Sequence, residues 1–224
     1  MLEETSHPIF AEFRLPRQQM VERLEKQSGI SDARVLSAMR FVPRHLFVPE
    51  ALCGQAYNDN AVPIAAAQTI SQPFIVAKMT ELLETHENHK VLEIGAGSGY
   101  QSAILACLVE KVFAIERIAQ LATEAEKRLR FLKIRNVNLR HADGTRGWEA
   151  NAPFDSILIA AGSPTIPEPL LAQLKLGGKL VMPLGKTRES QTLVRVIHDD
   201  DGFRVEQHGS CSFVPLIGQH GWEN

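Results

Sequence analysis

The chain lacks the marks of several large protein classes. Its three cysteines, Cys53, Cys107 and Cys211, form no CxxC pair, so neither a disulfide framework nor a thiolate zinc site is indicated. The histidines are scattered; His86 and His89 stand in a polar turn and no HExxH occurs, so no metal is expected. There is no excess of positive charge: 24 Lys and Arg against 26 Asp and Glu give a net charge of −2. Arg14, Arg17, Arg40 and Arg44 form no run either, so a nucleic-acid partner is not expected. No apolar run approaches the roughly 18 residues of a membrane span. The N-terminal residues carry neither a basic n-region nor an apolar h-region. With the odd cysteine count, this gives the expectation of reduced thiols and a cytoplasmic address. A Gly-x-Ser-x-Gly elbow is missing, which disfavours an α/β-hydrolase. There is no repeat, no low-complexity tract and no exposed apolar heptad, so a monomer is expected.

What is present is an ordinary soluble composition, 44% hydrophobic and 22% charged over 224 residues, enough for one domain with a sizeable core. Residues 1–16 are polar and interrupted by proline, and read as a flexible arm. Residues 17–224 read as one domain. Its N-terminal helices and a rim loop occupy 17–88, the ligand-binding core 89–190 and a hairpin 191–218. Met20, Val21 and Leu24 mark a first helix with Gly29 as its C-cap, and Ser31-Asp32 starts a second that Pro43 stops. The stretch 56–73 is apolar yet rich in Pro, Asn and small residues, and reads as a long ordered loop suited to a substrate rim. A helix over 74–83 follows. Strand and helix then alternate: strands at 91–94, 112–116, 137–140, 154–161 and 179–183, with helices at 101–109, 117–132 and 167–174 between them. Gly177-Gly178 reads as the turn into the last of these strands. Asp199-Asp200-Asp201-Gly202 reads as the tip of a closing hairpin. The pattern predicts an α/β fold, a doubly wound, mostly parallel sheet with an antiparallel C-terminal edge.

The most informative stretch is Val91-Leu92-Glu93-Ile94-Gly95-Ala96-Gly97-Ser98-Gly99-Tyr100. A buried strand runs into a glycine turn and then a helix N-terminus, the construction that binds nucleotide-like ligands. A dinucleotide fingerprint starting at Gly95 would place its third glycine at 100, but that position is Tyr and the glycine comes one residue early. Glu93 would also repel a pyrophosphate and suit a cationic ligand. The pattern Glu-x-Gly-x-Gly-x-Gly resembles motif I of the S-adenosylmethionine-dependent methyltransferases, whose cofactor carries an amino group and a sulfonium. Glu116 ends the next strand, 21 residues after Gly95, where an acidic side chain can accept hydrogen bonds from ribose hydroxyls. Asp143-Gly144 follows the third strand. It is either a simple turn or, within this fold, a contact to an adenine amino group. Thr69-Ile70-Ser71-Gln72-Pro73 carries hydroxyls and an amide ahead of a helix, where Ser71 could simply be a cap.

Segments outside the cofactor core carry a narrower resemblance. Val42-Pro43-Arg44-x-x-Phe47-Val48, Gln68 to Pro73, Arg140 to Gly144, Ala152 to Asp155 and Phe213-Val214-Pro215-Leu216 together resemble the protein-L-isoaspartate O-methyltransferase family. The likeness runs over about 200 residues, roughly 20 to 218. It implies a seven-stranded Rossmann-like sheet with helices before the first strand and an altered order of the last strands. It implies S-adenosylmethionine as methyl donor, S-adenosylhomocysteine as product, and isoaspartyl-containing proteins and peptides as substrates. By resemblance Ser71 is the active-site hydroxyl, Thr69 and Ile70 line the cofactor, and the backbone around Gln72 and Val214 holds the isoaspartyl segment. The remaining alternatives are a methyltransferase of the same fold acting on a small molecule or RNA, a nicotinamide oxidoreductase, and a non-catalytic binding module.

Overall fold

A computed structural model of the chain describes residues 11–187 and 189–223. Most of the arm expected over 1–16 lies outside the described residues, while Arg14 to Pro16 already belong to the first helix, α1 (Arg14–Lys26). It buries Met20, Val21 and Leu24, and Ile30 N closes its end on Leu24 O, with Gly29 at φ 72° between them. Helix α2 (Ala33–Phe41) is capped by Asp32, whose side chain accepts from Arg34 N and Val35 N. Two 3₁₀ turns follow, Arg44–Phe47 and Glu50–Gln55. The stretch expected to be one long loop contains a small hairpin: β1 (Val62–Pro63) pairs antiparallel with β2 (Thr69–Ile70). Two-residue strands are too short to leave a hydrophobic period in the sequence. Helix α3 (Pro73–Leu82) follows, with Pro73 at its first turn, where a missing N–H costs nothing.

The sheet is built from β3 (Lys90–Ile94), β4 (Lys111–Glu116), β5 (Val137–His141), β6 (Phe154–Ile159), β7 (Leu174–Leu184), β8 (Gln191–Asp199) and β9 (Gly202–Cys211). Helices α4 (Tyr100–Ala106), α5 (Ala119–Phe131) and the short α6 (Glu168–Ala172) connect its parallel part. The order is β5-β4-β3-β6-β7-β8-β9, so the last three strands stand side by side in chain order. Strands β3 to β7 are parallel; β8 and β9 run antiparallel. The doubly wound sheet with an antiparallel edge is therefore as the alternation predicts. One boundary differs. Strand β7 starts at Leu174, so Gly177-Gly178 lies inside it, where the pairing with β6 shifts register. A Cβ on Gly178 would stand 2.7 Å from Lys175 O and 2.8 Å from Asp155 O, which only glycine avoids.

The central strands are apolar on both faces, as parallel strands must be when helices cover them. Val91, Val112, Leu158 and Val181 join the helical N-terminal region in one core cluster. Leu92, Ile94, Phe154, Ile157 and Leu180 form a second cluster on the other face. The chain reverses its winding at β3, which has β4 on one side and β6 on the other. Open α/β sheets bind ligands beyond the carboxyl ends of the strands at such a switch point.

Candidate functional site

Two adjoining clefts open at that point. The first is lined by Ile94, Gly95, Gly97, Ile115, Glu116, Ile118, Leu121, Gly144, Ala160 and Val214 to Ile217, with Gln68 and Thr69 at its side. The second is lined by Thr69, Ile70, Ser71, Met79, Gly97, Ser98, Tyr100, Gln101 and Phe213 among others. Thr69, Gly95, Gly97 and Ala160 belong to both, so the glycine turn is the ridge between them.

The turn depends on conformations that side chains avoid. Gly95, Gly97 and Gly99 have φ of 85°, 55° and 89°, all in the left-handed region that favours glycine. Gly99 is the N-cap of α4, and a Cβ there would lie 3.1 Å from Ala125 Cβ. Glu116 anchors the turn: Gly97 N donates to its Oε2 and Ile118 N to its Oε1, each at 2.8 Å. Each carboxylate oxygen has two lone-pair directions, so one on each remains available for a further donor. Glu116 lines the first cleft, whose walls also include Ile94, Ile115, Ile118 and Leu121.

Glu93 differs from expectation. It was expected to present its carboxylate to a cationic ligand, but it lines neither cleft and has no exposed surface. Strand residues alternate faces; Glu93 lies on the face covered by α4, where Ser102 Oγ donates to its Oε2 at 2.5 Å. Its Oε1 has no partner among the described residues. Burial is the main cause that pushes its carboxyl up to about 7, with Glu116 adding to the rise and Ser102 opposing it.

Asp143 also differs. It lines neither cleft. Its Oδ1 accepts from Thr145 N and Oγ1, and its Oδ2 from Gln219 N. These bonds outweigh partial burial and hold its carboxyl below the usual range. The carboxylate thus ties the C-terminal segment to the 3₁₀ turn Gly144–Arg146. Gly144 does line the first cleft, and a Cβ there would meet Ile94 Cγ2 at 2.5 Å.

In the second cleft, Ser71 is not the cap of α3. That position is Gln72, which makes no side-chain cap bond, and Phe74 N donates to Asp59 Oδ1 at 2.9 Å instead. The simple capping reading of Ser71 is therefore replaced by Asp59, and the Ser71 hydroxyl is left to the cleft. Gln72 lines neither cleft; its carbonyl accepts from Val76 N. Val214 lines the first cleft, and its carbonyl accepts from Gly162 N at 2.8 Å. The neighbouring Phe213 is bracketed by the Gln191 amide, which accepts from its N–H at 2.7 Å and donates to its carbonyl at 3.3 Å. Sequence reading missed Gln191, Asp59 and Gln101. Single amides and carboxylates whose partners lie far along the chain leave no local pattern.

Comparison with known proteins identifies the family. Residues 15–221 match the family model described as protein-L-isoaspartate(D-aspartate) O-methyltransferase. The chain is 52% identical over 213 residues to a protein-L-isoaspartate O-methyltransferase of Syntrophus aciditrophicus, covering 94% of this chain and 97% of that one. It is 53% identical over 211 residues to one of Syntrophobacter fumaroxidans, covering 94% and 98%. A solved structure of a protein-L-isoaspartate O-methyltransferase superposes with a TM-score of 0.81 at 26% identity, over 92% of this chain and 67% of that one. A Plasmodium falciparum structure, described as such an enzyme in complex with S-adenosyl-L-homocysteine, shares the fold at a TM-score of 0.76 and 24% identity, over 90% and 98% of the two chains. The chain belongs to the protein-L-isoaspartate(D-aspartate) O-methyltransferase family.

Proposed function

We propose that the first cleft holds S-adenosylmethionine and that the second receives the α-carboxyl of an L-isoaspartyl residue beside Ser71. The observation that carries this is the junction of the clefts at the glycine turn, with Glu116 on one side and an uncommitted hydroxyl on the other. The residues present fit the donor. Glu116 keeps acceptor capacity for ribose hydroxyls, Ile94, Ile115, Ile118 and Leu121 offer an apolar slot, and Gly144 lets the wall come close. Thr69 closes the side of the slot, and Ile70 beside it lines the second cleft.

When bound, S-adenosylmethionine supplies a methyl group on a sulfonium and leaves as neutral S-adenosylhomocysteine. The chain therefore needs neither a general base nor a general acid. The attacking carboxylate, with an ordinary pKa near roughly 4, is already ionised at neutral pH. What the residues must do is position and dehydrate. Ser71 donates a hydrogen bond to one carboxylate oxygen and leaves the other free to attack. Ile70, Met79 and Phe213 keep water from the second cleft, which strengthens the attraction between unlike charges. Good alignment of this kind is worth several kcal/mol, on the order of 7 or more in favourable cases. The backbone around Val214 holds the peptide, so flanking sequence is read weakly. The ester then closes to a succinimide without the enzyme: the adjoining amide nitrogen attacks the ester carbonyl and methanol leaves. Water reopens the ring partly to normal aspartate. The enzyme works as a monomer in the cytoplasm on damaged proteins, without a metal, nucleic acid or membrane as partner. No helix among the described residues is long and apolar enough to cross a membrane.

The test is transfer of labelled methyl from S-adenosylmethionine to an isoaspartyl peptide, released as methanol by base. The normal aspartyl peptide should remain unlabelled. Ser71→Ala should lower kcat/KM on the isoaspartyl peptide by about tenfold or more while S-adenosylhomocysteine still binds. Base-stable label would overturn the reaction, and full activity of Ser71→Ala would overturn its assigned role.

A further inference from the structure

The motif Val42-Pro43-Arg44 lies outside both clefts, and Arg44 is the largest fully buried side chain among the described residues. Its guanidinium stands 4.8 Å over the Tyr100 ring. Nε donates to Ala56 O and Nη2 to Ser71 O, both at 2.7 Å, and Nη1 has no partner among the described residues. None of these partners is a carboxylate. Arginine stays protonated in proteins, so the fold carries a full buried charge whose bonded partners are carbonyls and a ring, the Asp59 carboxylate adding only a weaker electrostatic attraction without a salt-bridge contact. Removing an ion from water costs several kcal/mol, roughly, and apolar residues of similar volume often replace buried ions without loss. A long apolar side chain could fill this space. Stability alone does not account for an arginine here.

Its grip is placed with respect to Ser71. Arg44 takes the carbonyl of Ser71, while Asp59 takes the N–H of Phe74 three residues on. Between them lie Gln72 and Pro73, and Pro73 has a fixed φ and no N–H to offer. The segment is therefore held at both ends by side chains from the preceding part of the chain, and Ser71, at the start of the held part, lines the second cleft.

We propose that Arg44 and Asp59 form a two-ended clamp that positions the Ser71 hydroxyl for the substrate carboxylate, Arg44 acting through the Ser71 carbonyl. This rests on the assignment of the second cleft to the isoaspartyl carboxyl. The test is a double-mutant cycle on the full chain with Arg44→Lys, Arg44→Met and Asp59→Ala, each alone and combined with Ser71→Ala. Two quantities are read: the Kd of an isoaspartyl peptide for protein saturated with S-adenosylhomocysteine, and kcat/KM. Each clamp variant alone should weaken peptide binding and lower kcat/KM, Arg44→Met by about tenfold, with S-adenosylhomocysteine affinity unchanged within about twofold. In the Ser71→Ala background the same replacements should cost less than about twofold more. Effects that multiply across the two backgrounds, or a parallel loss of S-adenosylhomocysteine affinity, would overturn the clamp. Arg44→Lys keeps the charge, and Asp59 is at the surface, so the cycle stands on them if Arg44→Met does not fold. Ser71→Ala alone reports on the substrate site itself, so a failure of that assignment is told apart from a failure of the clamp.

Discussion

Glu93→Gln should make the ligand-free protein more stable at alkaline pH and leave it nearly unchanged at acid pH. Glu93 is fully buried with one oxygen on Ser102 and the other unpartnered, so its ionised form is poorly solvated. Its carboxyl moves from an ordinary 4.5 to about 7 in the folded state. Each tenfold corresponds to about 1.4 kcal/mol, so the folded protein pays about 3 kcal/mol for ionising this group. The sign follows from the upward direction. The contribution is fully present below about 4.5, declines as pH rises, and is gone above about 7. A glutamine resembles the protonated acid in shape and charge and removes this dependence.

Urea denaturation from pH 5 to 8 reads the effect. The two proteins should be within about 1 kcal/mol at pH 5, and the variant should be ahead by about 2–3 kcal/mol at pH 8. The difference between the curves isolates Glu93 from all other titrating groups. Parallel curves over the whole range would refute the reasoning, because they would mean that Glu93 is as well solvated folded as unfolded.

Three further outcomes are expected. Glu116→Gln replaces one oxygen that accepts a backbone N–H of the turn with an NH₂ group; S-adenosylhomocysteine affinity by calorimetry should fall about tenfold or more, since charged hydrogen bonds are worth about 1.5–3 kcal/mol. Gly144→Ala drives a methyl to within 2.5 Å of Ile94 Cγ2; thermal unfolding should show a loss of about 1–3 kcal/mol, the usual cost of overpacking. Asp143→Ala frees Thr145 and Gln219; it should cost about 1 kcal/mol as a lost cap and hasten proteolytic cleavage near Gln219, with a smaller effect on S-adenosylhomocysteine affinity than Glu116→Gln.

Much of the fold is legible because burial on both faces writes apolar runs into the parallel strands. Val91-Leu92 with Ile94, Val112 to Ile115 and Ile157 to Ile159 are such residues, and all are buried in β3, β4 and β6. The early third glycine and Tyr100 are likewise visible, and Tyr100 proves to be a buried platform for Arg44. The small hairpin of β1 and β2 leaves no such trace. Glu93 is instructive: proximity in sequence to the glycine turn suggested contact with the ligand, while the two-residue period of a strand turns it toward α4.

Chain chemistry by itself settled the alternation of strands and helices, the turn at Gly95 to Gly99 and the placing of Glu116 at the end of β4, because each depends on neighbours within a few residues. Only the folded sheet decided that Glu93 and Asp143 turn away from the clefts, that Asp59 relieves Ser71 of capping α3, and that Arg44 grips the Ser71 carbonyl. Those bonds join residues 9 to 76 positions apart, and which side chain reaches which partner at such separations is set by packing, not by local sequence.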